Sequence, residues 1–511
     1  MQKVLASLIL AVVTVSAQAA ETFSFQTVID KAHDLGSQPY HEPEPIPRFM
    51  RELTYDQYQG IRFNPEKSLW KQGKSKFQVM LMAPGLYYGH PVKVNIVDVQ
   101  GTKPLPFKKD LFTFTDPEIE KMVPPDLGYA GLKLTFPFFQ PDVQNQFLVF
   151  AGASYFRGVG KDNGWGISTR GVAVDTGLPT GEEFPSFVEF WLVHPAANSD
   201  QVMVYGLLDG PSLAGAYQFS IKPGKRTSVD VKAVLFPRNT IKLMGVAPLT
   251  SMFYYGENTS RPRGEWRSQV HDSDGLLVHN GSGEWLWRPL INPVYLEMDY
   301  FRVDDLQGFG LLQRDTSFND YHDLGARYEI RPSTWVTPDN KWGPGHVVLV
   351  QLPTNMETND NIVAFWTPAS AATPNQPYHI GYNISFGGKD LADQEVGYAI
   401  NTFTGDGNII GGGQKKGAYR ILVDFTGGSL DKLTPKAPVA GEVSGFDGTE
   451  VLEQFVEYNP DAKAWRLSML VKPAEGKSLS LRAYLKESDR ALTETWTYRL
   501  PPDNDIEIER E

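Results

Sequence analysis

The 511-residue chain contains no cysteine. Structural disulfides, Cys-ligated zinc, iron–sulfur clusters and thiol nucleophiles are therefore excluded. Positive charge is scarce as well: 48 Lys and Arg stand against 60 Asp and Glu, a formal net charge of −12. Nucleic acid is not an expected partner, because its phosphates would be repelled unless the basic residues were segregated, and no dense basic run occurs. After the first twenty residues no stretch reaches the roughly 20 apolar residues of a membrane span, so no transmembrane segment is expected in the mature protein. Phosphate-cradling and nucleophile motifs are missing too: there is no G-x-x-x-x-G-K-[ST] loop, no G-x-G-x-x-G between strand and helix, no G-x-S-x-G and no H-E-x-x-H. Among nine histidines, His271 and His279 form one close pair that strand spacing would set on one face. Such a pair is more often structural than metal-binding, and no metal or cofactor is expected.

What is present in excess is Gly and Pro, 47 and 37 residues, with aromatics at 12%. Gly supplies positive φ and Pro fixes φ while removing a ladder donor, so the excess predicts many turns between short strands. The first nineteen residues read as a secretory signal: Lys3, an apolar stretch from Val4 to Val15, and the small-x-small triplet Ala17-Gln18-Ala19. No Arg-Arg pair precedes the apolar stretch, which favours the general secretory route. Export without cysteine predicts the periplasm rather than a disulfide-built extracellular module.

Phe25, Val28, Ile29 and Ala32 carry helical spacing, with Gly36 as the expected C-cap, and Asp116-Pro117-Glu118 marks a second helix start. The remainder reads as strands, among them Val92 to Val99, Phe147 to Ala151 and Phe187 to Val193. More than 300 residues in this style, without a βαβ rhythm, predict an all-β fold built on a large N-terminal β-sandwich. Composition shifts near residue 388, where Phe386 to Gln394 is small, polar and charged. Beyond it the alternation is clean, as in Trp465, Leu467, Met469, Val471 and in Leu479, Leu481, Ala483, Leu485. The expected organisation is a signal at 1–19, a large β-sandwich at 20–388 that would carry any binding or catalytic site, and a small immunoglobulin-like sandwich at 395–511.

Nine of the eleven tryptophans precede the expected linker, and between about residues 150 and 370 aromatic, acidic and Arg residues are densely mixed. Sugars are bound by aromatic faces and by planar polar groups, so Tyr155, Arg157, Trp285, Trp287 and Arg288 are candidate substrate-binding residues. Trp285 and Trp287, two apart, equally fit one core-facing side of a sheet. Cleavage of a glycoside needs a protonated carboxyl and a second group to activate water. Asp360 lies in the polar turn Asn355 to Asn361, just before the apolar Ile362-Val-Ala-Phe-Trp366, and Asp272 lies in His271-Asp-Ser-Asp-Gly275. Partial burial at a strand edge would raise such a carboxyl's pKa. Both aspartates also suit turns that close hairpins.

Several ordered strings carry a family resemblance: Gly245-Val-Ala-Pro-Leu-Thr-Ser-Met-Phe253, His271-Asp-Ser-Asp-Gly275, Gly283-Glu-Trp-Leu-Trp-Arg-Pro-Leu290, Gly308-Phe-Gly-Leu-Leu-Gln-Arg314, Arg327-Tyr-Glu-Ile-Arg-Pro-Ser333 and Glu357-Thr-Asn-Asp-Asn-Ile-Val363. Together they resemble the periplasmic glucans biosynthesis proteins of G and D type, and the plain signal resembles the G type. The resemblance implies a galactose mutarotase-like sandwich followed by an immunoglobulin-like domain, and a role in making osmoregulated periplasmic glucans with a β-1,2-linked backbone. It also implies kinship with inverting endo-β-1,2-glucanases, which puts the general acid on Asp360, the base-side carboxylate on Asp272 and a proton path through Tyr328. Glu357 and Arg314, within the shared strings, join the substrate-binding set. The implied partners are a β-1,2-glucan chain and the inner-membrane glucan synthase. The alternative expectation is a non-catalytic glucan-binding or scaffolding factor, and a weaker one is transglucosylation.

Overall fold

A computed structural model describes residues 23–409 and 411–502, so the expected signal at 1–19 lies outside the described residues. Two large sheets dominate, one of ten strands and one of fifteen. They pack face to face over one apolar core to which Leu81, Leu134, Phe150, Leu192, Phe219, Val231 and Ile384 all contribute. At its centre Phe150 meets Phe156, Phe190 and Phe219 at ring-centroid distances of 5.5, 5.3 and 5.0 Å. Burying each such ring stabilises the fold by about 1.5–3 kcal/mol, so removing one is among the costlier core changes. The all-β sandwich read from the sequence is thus the observed architecture. Among the described residues the pairing is almost wholly antiparallel, as expected where strands follow one another without helical crossovers.

The predicted helix spans Phe25–Gly36, with Val28 and Ala32 buried against Trp191, Leu207 and Ala216 on the outer face of the fifteen-stranded sheet. Its C-cap is Ser37 rather than Gly36. Gly36 serves packing instead, since a Cβ there would lie 2.7 Å from the Phe236 Cβ. The second expected start is confirmed: Asp116 caps Pro117–Met122 by accepting a hydrogen bond from the Glu118 N–H at 2.8 Å.

Four neighbouring strands of the ten-stranded sheet matter for function: Tyr155–Gly158, Ser168–Arg170, Met244–Ser251 and Ile362–Pro368, hydrogen-bonded in that order. Every residue of Met244–Ser251 is buried, so its unbroken run of apolar and small residues needs no alternation.

From Tyr398 onward the chain builds a second core. A four-stranded sheet pairs Tyr398–Asn408, Gln414–Thr426, Ala464–Lys472 and Glu450–Asn459. The opposing layer, Ala440–Phe446, Leu479–Glu487 and Thr495–Leu500, does not stand alone. Thr495–Leu500 pairs in parallel with Trp285–Pro289, setting Leu286 beside Thr495 and Trp287 beside Trp496, so this layer continues the fifteen-stranded sheet. The apolar faces read from alternation, including Leu467, Met469, Leu481 and Leu485, meet Leu277, Trp287, Leu312 and Trp335 from the first body in one shared core.

The expected His271–His279 pair does not share a face. Val270–His271 belongs to a two-stranded sheet with Phe253–Tyr255, while Gly275–Asn280 enters the fifteen-stranded sheet. The turn between them redirects the chain, and His279 stacks on Trp285 with centroids 3.9 Å apart.

Candidate active site

Asp272 and Asp360 are far apart in sequence and are braced on adjacent residues. The Asp272 N–H donates to the Met252 carbonyl at 2.8 Å. The side chain of Asn361, next to Asp360, accepts from the Phe253 N–H at 2.8 Å and donates to the carbonyls of Phe253 and Leu352 at 3.0 and 2.9 Å. One short segment therefore sets the positions of both carboxylates.

Their surroundings differ. Asp272 is buried and accepts from Arg331 Nη1 at 2.6 Å. Burial lifts its pKa to about 6, with the Arg331 charge opposing the rise and the Asp360 charge adding to it. Asp360 keeps contact with solvent, yet enough protein surrounds it to raise its pKa above the ordinary 3.8, against the pull of Arg157, Arg170 and Arg331. Tyr328 is buried beneath the Arg331 guanidinium, whose carbon lies 4.4 Å from its ring centroid. Desolvation raises the Tyr328 pKa well above 10, and the charges of Glu357 and Asp272 add to the rise. Asp360, Asp272 and Tyr328 thus occupy one electrostatic neighbourhood with Arg157 and Arg331.

On one side of this group runs a trough of three adjoining cavities, of about 310, 280 and 370 Å³, all bordered by Tyr88. Tyr155 borders the first two, and Arg157 and Trp165 border the second. Exposed Tyr87 and Phe184 stand at the first. Tyr155 is steadied by the Arg170 guanidinium, 5.0 Å from its ring centroid, and buried Arg170 is in turn held by Glu182 and by Thr250 Oγ1 at 3.1 Å. Near Tyr328, Arg267 ties three loops together. It grips Glu265 through Nε and Nη2 at 2.9 and 2.8 Å, and its Nη1 reaches Asp323 at 3.2 Å and Glu357. Trp266 beside it is 64% exposed, the only tryptophan among the described residues to reach solvent so fully.

Trp285, Trp287, Arg288 and Arg314 lie elsewhere, in the seam between the two cores. Trp287 is 3% exposed, with the Arg314 guanidinium 3.5 Å from its ring centroid. Arg314 donates to both carboxylate oxygens of Glu494 at 2.7 and 2.9 Å, and to the Ala399 carbonyl at 2.6 Å. Arg288 pairs with Asp299 at 2.8 Å and Thr497 at 3.0 Å, and Trp285 stacks between His279 and Trp335. These four residues are committed to packing, whereas Tyr155, Arg157 and Glu357 stand at the carboxylates.

Residues 23–500 match the family described as periplasmic glucan biosynthesis protein, MdoG. The chain belongs to the MdoG family. Its setting is the periplasm and its role lies in glucan biosynthesis. Among the described residues no helix is long and apolar enough to cross a membrane. Two solved structures show a weak likeness. The α-galactosidase from Lactobacillus brevis shares 10% identity over 51% of this chain and 38% of that chain, at a TM-score of 0.25. The chain thus spans well under half of that enzyme's length. The Slr1438 protein from Synechocystis sp. PCC 6803 shares 10% identity over 68% of this chain and 99% of that one, at a TM-score of 0.17. Neither score supports an argument about function.

Sequence reasoning passed over four residues that shape this MdoG-family site: Arg170, Arg267, Arg331 and Asn361. Arg331 and Asn361 lie inside the strings that carry the resemblance, so the signal was present without an assigned role. Arg170 and Arg267 have no local signature, because their partners come from other strands and loops.

Proposed function

We propose that this MdoG-family protein processes the glucan itself, as an inverting endo-glucanase acting on a β-1,2-linked backbone. The observation that carries the reading is the pair of unlike carboxyls, Asp360 solvent-accessible with a raised pKa and Asp272 buried against Arg331, beside an aromatic trough. In this reading Asp360 donates its proton to the glycosidic oxygen as the C1–O bond breaks. Water attacks C1 from the opposite face, and its proton passes by way of Tyr328 to Asp272, which Arg331 holds in the anionic form that a base requires. The two product chains differ from the substrate by one water, and the new reducing end carries inverted configuration. Tyr155, Arg157 and Glu357 hold the sugars on either side.

A second reading, glucan binding without cleavage in support of the inner-membrane synthase, is favoured by one observation. Three guanidinium groups, on Arg157, Arg170 and Arg331, draw Asp360 toward its anionic form and away from acid work. The deciding experiment is incubation of purified protein with linear β-1,2-glucan, following reducing ends and the anomer formed. Cleavage by wild type and none by Asp360→Asn supports the enzyme; binding by both with cleavage by neither supports the scaffold.

A further inference from the structure

His271 is 1% exposed and sits where the two cores meet, next in the chain to Asp272. The side chains around it are fixed by their own bonds. The Gln313 amide nitrogen donates to the carbonyls of His271 and Tyr328 at 3.1 and 3.2 Å, so its oxygen faces His271 Nδ1 at 3.0 Å and that nitrogen carries the ring proton. The Gln269 amide nitrogen donates to Asp315 Oδ2 at 2.7 Å, and its oxygen already accepts from the Glu257 N–H at 3.2 Å. That same oxygen lies 3.0 Å from His271 Nε2, and Asp274 Oδ1 lies 3.5 Å from it.

A neutral imidazole has one N–H. With the proton on Nδ1, the Nε2 lone pair points at two further acceptors and meets no donor. Ligand atoms of His271, Asp274 and Asp315 all fall within 4.8 Å of one another, around a cavity of about 30 Å³ that Glu257 and Gln269 also border. The cavity is about the size that holds one water or one ion. Converging lone pairs from an imidazole, an amide and carboxylates call either for a proton on one of the carboxyls or for a cation between them. A ring whose second nitrogen donates to an oxygen is the usual arrangement of a metal-bound histidine.

We propose that this seam holds one divalent cation, bound by His271 Nε2, Asp274, Asp315 and Gln269 Oε1, with the Glu257 carboxylate bordering the same cavity and adding negative charge. The donor set, mostly oxygen with one nitrogen, suits Mn²⁺ or Zn²⁺ better than a thiophilic ion. Glu257 accepts from the Thr402 N–H and Asp274 from the backbone of Arg314 and Asp315, so the ion would sit where the first body meets the strands after Tyr398. The inference is tested apart from the glucanase reading, because metal binding and Tm are read without glucan, even though His271 adjoins Asp272 in the chain. It also departs from the sequence expectation of no metal, and its ligands exclude His279.

The test uses the full chain, treated with chelator, exchanged into metal-free buffer and titrated with Mn²⁺ alone and with Zn²⁺ alone by calorimetry, with Tm followed in parallel. One equivalent is expected to bind, raising Tm by roughly 2–4 °C. Asp315→Asn and Glu257→Gln, which keep shape and remove charge, are each expected to weaken binding by at least ~10-fold. The two variants guard against one of them failing to fold, and the wild-type titration stands without either. Absence of stoichiometric binding by wild type, with Tm indifferent to chelator, overturns the proposal and leaves the Nε2 lone pair to a protonated neighbouring carboxyl. Equal binding by wild type and both folded variants also overturns it, since the ion then sits elsewhere.

Discussion

The seam and the cleft use the same kinds of residue for opposite ends. In the seam Arg314 covers Trp287 and spends its donors on Glu494 and Ala399, leaving little for a ligand. In the cleft Arg170 steadies Tyr155 from below, while Arg157 and Tyr155 border open trough beside a solvent-accessible Asp360. Arginine over an aromatic ring is therefore uninformative about binding until it is known whether the other face of the ring is covered.

The largest effect that would sharpen this contrast is at the carboxyl. Asp360→Asn is expected to lower glucan cleavage by about 10²–10⁴-fold with Tm unchanged; retained cleavage would remove Asp360 from the acid role. Arg314→Ala should do the reverse, costing about 3 kcal/mol in denaturant unfolding because buried Glu494 loses its counter-charge and keeps only the hydrogen bonds from Gln394 and the Ala399 N–H. Glucan affinity per folded molecule should stay constant, and a fall in it would make the seam part of the binding surface. The pH profile of cleavage comes next. Because burial raises the Asp360 pKa and the acid works only when protonated, turnover should decline about tenfold per pH unit once pH has risen through that raised value. Tyr155, Arg157, Arg170, Asp272 and Arg331 face this group, and Arg157→Gln, by removing an opposing charge, should move the decline to higher pH. Smaller again, Tyr155→Ala should weaken glucan binding by about 2–10-fold while Trp287→Phe leaves it unchanged, as a binding isotherm would show. At the bottom, Arg48→Ala breaks an exposed pair with Glu52 and should leave unfolding within about 1 kcal/mol of wild type.

These two regions also mark how far the sequence could be read. Period-two alternation exposed the second core residue by residue, because one covered face writes itself into every other position of a strand. The position of Asp360 at a turn before an apolar strand was legible for the same reason. Trp285 and Trp287 were ambiguous by nature: alternation shows that they share a face, and only the parallel strand Thr495–Leu500 and the stacking on His279 and Trp335 show that the face is covered. Trp266 had no pattern at all, yet it is the exposed one. The bracing of both carboxylates on Met252 and Phe253 was illegible because it depends on which loops meet, which no local spacing encodes.

The parallel pairing of Thr495–Leu500 with Trp285–Pro289 has a consequence for how the molecule is made. A chain that emerges N-terminus first presents the Trp285–Pro289 strand some two hundred residues before the strand that covers it. During that interval the fifteen-stranded sheet ends in an unpaired edge carrying two tryptophans, a template for association with other chains. Completion of the fold therefore waits on the last strand, and a chain cut short before Thr495 is expected to aggregate rather than to yield a working first half.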